Sequence, residues 1–290
     1  MYSEIAANKR KTWLIMAGFV VVIGLLGWLF SKIYGQPYFL YFALIFSGAY
    51  ALMEYFAAAK IALAVNGARE VTKKEEPRLY RTVENLCIST GMPMPRVYVM
   101  DDPAPNAFAT GRDPNHAVVA ATTGLLAMMT DTELEGVIAH ELGHVKNYDI
   151  RVMMIVFGLV SAIGFIADML LRMIWFRDDD RETSPIVFVI GIIAALLAPF
   201  VAMLVQLAVS RRREYLADST GALTTRYPEG LASALEKIRD HGSAMKRQNT
   251  ATAHLFFASP LKGGSVARLF STHPPIEDRI ARLRKMGTHL

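Results

Sequence analysis

Only one cysteine, Cys87, occurs in the 290 residues, so no internal disulfide can form. A lone thiol fits a reducing compartment. The chain also lacks internal repeats, which excludes a solenoid or a repeat array. Charge is absent in a patterned way. Charged residues make up 20% of the chain, yet Trp13 to Phe30 contains none, and neither does Pro37 to Met53. Val152 to Phe176 is apolar except for Asp168 and Arg172, and Pro185 to Val209 is interrupted only by Gln206 and Pro199. A helix needs about 20 apolar residues to cross a hydrocarbon core of about 30 Å. Four such runs, in a chain that is 53% hydrophobic, exclude an ordinary soluble enzyme. The net charge of +5 could suggest nucleic acid. The basic residues cluster beside the apolar runs, however, where anionic lipid is the simpler partner, and no nucleic-acid module is present.

These runs predict a mainly α integral membrane protein with four transmembrane helices, at about 13–30, 37–57, 152–176 and 185–209. The tryptophans Trp13, Trp28 and Trp175 all fall at span ends, where amphipathic rings favour the headgroup layer. Asp168 and Arg172, four apart in the third span, read as an ion pair near the far interface. Lys9, Arg10 and Lys11 precede the first span, while Lys60, Arg69, Lys146, Arg151 and Arg211 to Arg213 flank the same side. The link Arg177 to Glu182 on the other side is mostly acidic. Positive-inside asymmetry then puts both termini and both polar regions in the cytoplasm. The first run is too long for a cleaved signal peptide and lacks a small-residue cleavage site, so it is expected to be an anchor. The expected organisation is an arm and hairpin of spans (1–58), a first polar part (59–151), a second hairpin (152–209) and a second polar part (210–290).

Within the polar parts, Ala57 to Val71 reads as a helix leaving the membrane. Glu76 to Thr90 reads as an amphipathic helix stopped by Gly91 and Pro93. Arg96 to Met100, Asn106 to Thr110 and Ala117 to Ala121 read as strands of a small sheet.

Only seven histidines are present, which makes His140-Glu141-Leu142-Gly143-His144 stand out. Residues four apart share one helical face, so two imidazoles there can grip one metal ion. Glu141 lies beside the first histidine, placed to take a proton from an attacking water. This spacing is the H-E-x-x-H signature of zinc proteases. Thr130 and Glu133 offer a capping box for a helix from about Asp131 to Tyr148, and Leu134, Val137 and Ile138 give it an apolar stripe. Gly143 costs about 1 kcal/mol in a helix, and close approach of backbone or substrate to the metal face is the expected gain. The short path from His144 to the third span puts the site within ~15 Å of the membrane surface.

A catalytic zinc takes three protein ligands and keeps one open position. Glu214 and Asp218, four apart, could supply the third ligand and an orienting partner for a ligating histidine. They could equally be a solvated acidic face answering the three arginines before them.

These motifs, with Asn106-Ala107-Phe108-Ala109-Thr110-Gly111 and Ser271-Thr272-His273-Pro274-Pro275, resemble in order those of the M48 metallopeptidases. The resemblance implies a cytoplasmic, zincin-like (α+β) metalloprotease domain carrying one Zn2+ per chain. It implies His140, His144 and Glu214 as ligands and Glu141 as the catalytic residue. It further implies an endopeptidase in the bacterial plasma membrane that degrades misfolded or damaged membrane proteins under stress. Membrane proteases that trim prenylated CaaX proteins share these motifs but have more spans, and form the alternative within the family.

Other assignments stay open at this level. His273 reads either as a second electrophile or as a polar cap beside Pro274-Pro275. Arg279 orients His273 or Asp218, or lies on the surface. Asn106, Ala107 and Phe108 read either as an edge to which an extended substrate adds itself or as an ordinary strand. His116, His241, His254 and His289 have no partner at ligand spacing and read as structural or surface residues. A non-catalytic zinc scaffold would close its fourth position with a further Cys or His, which Cys87 does not offer. A four-span transporter would need paired charges near the bilayer centre.

Overall fold

The computed structural model describes residues 2–175, 193, 197, 201, 211–247, 252, 255–258 and 274–287. Two long helices, α1 (Tyr2–Tyr34) and α2 (Tyr38–Val65), form the first hairpin. A third apolar helix, α6 (Asp149–Trp175), packs against both. Among the described residues, three helices are long and apolar enough to cross a membrane: Ile5–Tyr34, Tyr38–Val65 and Asp149–Ile166. The fourth expected span, 185–209, lies largely outside the described residues, as does the Arg172 side chain expected to pair with Asp168.

The helix expected at Ala57 to Val71 is the end of α2, which continues unbroken to Val65. Asn66 caps it, Gly67 turns the chain at φ 66°, and Ala68–Glu70 leaves as strand β1. Between α2 and α6 the fit is close. A Cβ on Gly158 would lie 1.9 Å from Oε2 of Glu54, a buried acid on α2. The Tyr50 hydroxyl stands 3.0 Å from both Glu54 Oε1 and the Gly158 carbonyl.

The polar part holds α3 (Pro77–Thr90), β2 (Arg96–Met100), β3 (Ala107–Gly111), β4 (Ala117–Thr122), the short α4 (Thr123–Met128) and α5 (Asp131–Lys146). Helices α7 (Arg211–Thr225), α8 (Pro228–His241) and α9 (Ile276–Gly287) follow. The sheet order is β1-β2-β4-β3, with β2 and β4 parallel and the other pairs antiparallel. Successive strand residues point to opposite faces. Tyr98, Met100, Phe108, Val118 and Ala120 therefore meet the membrane helices, while Val97, Val99, Ala107, Ala109, Val119 and Ala121 meet α3 and α5. Covered on both faces, β3 and β4 carry almost no polar side chains.

The joint between the soluble layer and the spans is short. Helix α5 stops at Lys146, not Tyr148, because Tyr148 adopts φ 61° before α6 begins. The Lys9 ammonium sits 4.5 Å and the Arg151 guanidinium 5.0 Å from the Tyr148 ring centroid. Trp13 stacks on Tyr55 at 6.0 Å, beside these cations. Aromatic rings and cations thus share one level where α1, α2 and α6 pass from apolar to polar sequence, as at a membrane surface.

Candidate metal centre

Helix α5 starts from the capping box that the sequence offers. Glu133 N–H reaches the Thr130 hydroxyl at 3.4 Å, and Thr130 N–H donates to Glu133 Oε2 at 2.7 Å. Glu133 also binds Ser233 at 2.7 Å and Lys237 at 2.6 Å, tying the helix start to α8. Burial alone would raise the Glu133 carboxyl, but Lys237, Ser233 and Thr130 outweigh it and hold the group at about 2.

Helix α7 crosses α5 at small residues. A Cβ on Gly221 would come within 3.0 Å of the His140 nitrogen, and one on Gly136 within 2.7 Å of the Leu231 nitrogen on α8. A Cβ on Gly143 would lie 3.4 Å from the Ala217 backbone and 3.5 Å from Thr220 of α7, so of the two expected gains it is backbone approach, and not substrate approach, that this glycine faces.

That crossing places Glu214 over the two histidines. Ligand-capable atoms of His140, His144 and Glu214 all lie within 4.8 Å of one another, and all three residues are buried. The two Nε2 atoms are 3.2 Å apart, while Glu214 oxygens stand 3.5 Å from His144 and 3.9 Å from His140. Donors placed tetrahedrally about 2.0–2.1 Å from a zinc ion would be about 3.3 Å apart. The donor set of two imidazoles and a carboxylate therefore fits zinc in type and spacing. The formal charges agree. Four buried carboxylates (Glu141, Asp149, Glu214, Asp218) face two buried guanidiniums (Arg213, Arg279), an excess that a divalent cation balances.

Each imidazole is held from behind. Asp218 Oδ1 meets His140 Nδ1 at 2.9 Å, and Arg279 grips the same carboxylate through Nε and Nη2 at 2.9 and 2.7 Å. Asp149 Oδ2 meets His144 Nδ1 at 3.0 Å. The other oxygen of Asp149 accepts from Asn8 of α1 at 2.8 Å and stands 3.6 Å from Arg213. Such contacts fix the tautomer and ring orientation that ligation requires. Burial pushes the His140 imidazole down to about 4, against the pull of Asp218. For His144 burial acts the same way, but Asp149 and Glu214 overcome it and raise the group to about 9. Burial would raise Asp218, yet Arg279 and His140 keep it ionised at about 2.

Glu141 lies on the same face, 2% exposed, and its Oε2 accepts from the Ala109 N–H of β3 at 2.8 Å. The structure thus brings His140, Glu141, His144, Glu214, Asp218 and Arg279 together, and sets Asn106, Ala107 and Phe108 on the edge beside them. His273 lies outside the described residues. Of the other histidines, His116 is exposed against Asp113 at 2.7 Å. Sequence reasoning missed Asp149, which sits just past the break after α5. The usable signal was an acid close behind the motif. It also missed Asn8 and the segment around Phe257.

Comparison with known proteins agrees with the resemblance in the motifs. The pattern of peptidase family M48 matches residues 73–287. The chain is 56% identical over 288 residues to a "Protease HtpX homolog" from Tropheryma whipplei, covering 99% of both proteins. A protein of the same description from Dictyoglomus thermophilum is 47% identical over 292 residues, 99% of this chain and 95% of that one. One from Streptococcus gordonii is 42% identical over 300 residues, 99% of this chain and 100% of that one. The fold is similar to the crystal structure of S. mikatae Ste24p, with TM-score 0.53 and 19% identity over 98% of this chain and 67% of that one.

Proposed function

We propose, from the premise that the chain belongs to peptidase family M48, that this membrane-bound metalloprotease takes one zinc ion at His140, His144 and Glu214. Its substrates are misfolded or damaged membrane proteins, cut at the cytoplasmic face of a bacterial plasma membrane. The carrying observation is the convergence of three buried donors whose two imidazoles are each held from behind by a carboxylate.

Zinc bound there supplies Lewis acidity toward water and the scissile carbonyl. The chain's own residues do the rest. Glu141 accepts the proton of the attacking water and returns it to the departing amine. The Ala109 N–H holds the Glu141 carboxylate against β3, so the base is set beside the strand that carries the substrate. Asp218 and Asp149 keep the imidazoles aimed, and Arg279 keeps Asp218 in place. Asn106, Ala107 and Phe108 offer main-chain and amide groups to an extended polypeptide, which demands little of its sequence. The cytoplasmic placement is supported by the basic residues beside the spans, including Lys9 and Arg151 at the joint. The joint itself favours substrates already at the membrane.

The test uses full-length protein in detergent. Wild type is expected to hold about one zinc and to cleave casein until a chelator is added. Glu141→Ala is expected to keep zinc, by elemental analysis, and to lose cleavage. Retained cleavage by that variant would sink the role given to Glu141, and a zinc-free active wild type would sink the metal assignment.

A further inference from the structure

The β3 edge that a substrate would use is already paired, and its partner is the chain itself. Phe256 forms an antiparallel bridge with Phe108, their rings edge to face at 5.1 Å. The Phe257 N–H donates to the Ala107 carbonyl at 2.8 Å. The Asn106 amide closes on Ala258 from both sides. Its Nδ2 donates to the Ala258 carbonyl at 2.8 Å, and its Oδ1 accepts from the Ala258 N–H at 3.0 Å. Each of these three hydrogen bonds is made to the main chain of 257–258, so any extended peptide could make them.

What is particular to this segment is one side chain. The Phe257 ring lies 5.1 Å from the His140 ring, edge to face, and the Arg279 guanidinium sits 5.1 Å from its centroid. Phe257 is buried there, beside the first histidine of the metal group. A buried slot with an imidazole edge and a guanidinium on its walls suits a bulky apolar or aromatic side chain.

We propose that Phe256–Ala258 is a built-in competitor seated in the substrate's place on β3, and that the slot filled by Phe257 receives a bulky apolar side chain of the substrate. The inference rests on the reading of β3 as the substrate edge. The Ala107 carbonyl and the Asn106 amide serve one peptide at a time, so substrate enters only as 256–258 leaves. A competitor on the same chain acts at a high effective concentration, on the order of millimolar for a short tether. Access is thereby set by how well a polypeptide matches Phe257 in the slot, which spares well-folded neighbours that expose no such residue.

Hydrogen exchange on full-length, zinc-loaded Glu141→Ala protein tests the displacement. The probe is a decapeptide of small residues with one central phenylalanine, at saturation. The Phe257 and Ala258 amides are expected to exchange faster when it is present; unchanged or slower exchange overturns the proposal. Replacing the central phenylalanine by leucine is expected to keep the effect, and by aspartate to remove it. Equal response to all three overturns the slot. In active protein, Phe257→Ala is expected to lower KM for the phenylalanine peptide several-fold with kcat changed far less. A folded variant with unchanged or raised KM contradicts the competitor. Zinc-dependent cleavage of casein by wild type, measured in parallel, reports separately on the function it rests on.

Discussion

Arg279 and Asp218 meet through two parallel hydrogen bonds of 2.7 and 2.9 Å, and the same carboxylate reaches His140 at 2.9 Å. Both side chains are almost fully buried. A fork of this kind needs a planar donor, and lysine cannot reproduce it. Asp218→Asn keeps the shape but removes the charge that orients the imidazole. Zinc affinity is expected to fall about 10–100-fold, measured by competition with a chromophoric chelator. Asp149→Asn should act alike through His144, and Arg279→Lys more weakly than loss of the carboxylate. An affinity unchanged in Asp218→Asn would show that the contact does not position the ligand.

The start of α5 should show its own pH dependence. Glu133 is held at about 2, below its ordinary 4.5. A depressed carboxyl contributes stability that is complete above pH 4.5 and is lost as pH falls from there toward 2. Glu133→Gln is expected to cost about 1 kcal/mol at pH 7 through the weakened cap. For a chain of this size that lowers the Tm by about 2–4 °C. The gap between wild type and variant should narrow as the pH is taken from 6 to 3, followed by intrinsic fluorescence in detergent. A constant gap would place the stabilisation elsewhere.

The helix crossings offer a third check. On Gly136 a methyl group would meet the Leu231 backbone at 2.7 Å, where no flexible side chain can yield. Gly136→Ala is expected to cost about 1–3 kcal/mol by overpacking. Because α5 carries both histidines, zinc affinity should drop as well. Gly48→Ala, with nothing within 4 Å, should show neither loss in thermal melts or metal titrations.

Much of this arrangement was legible in the sequence because it is local. The capping box, the four-residue spacing of His140 and His144, and the left-handed stop of α3 at Gly91 all lie within one or two helical turns. From spacing alone the third ligand was legible only as an alternative, since helical spacing does not say which element Glu214 faces; the resemblance in the motifs was what singled it out. Close packing at Gly221 decides that, and glycine in a sequence does not announce what it touches. Asp149 was hidden because the chain reverses its helical phase at Tyr148, so a residue five after His144 returns to the ring. The occupancy of the β3 edge was hidden for another reason. Its bonds come from main-chain atoms of 257–258, which leave no trace in residue type.

Two residues, Asn147 and the left-handed Tyr148, separate the helix bearing the histidines from the helix that enters the apolar layer. No slack exists there to be paid out, so the cutting machinery keeps a fixed altitude over the lipid. A peptidase on a loose tether sweeps a hemisphere and meets whatever drifts by. This one works like a blade bolted to a bench, its reach set by the joint that holds it.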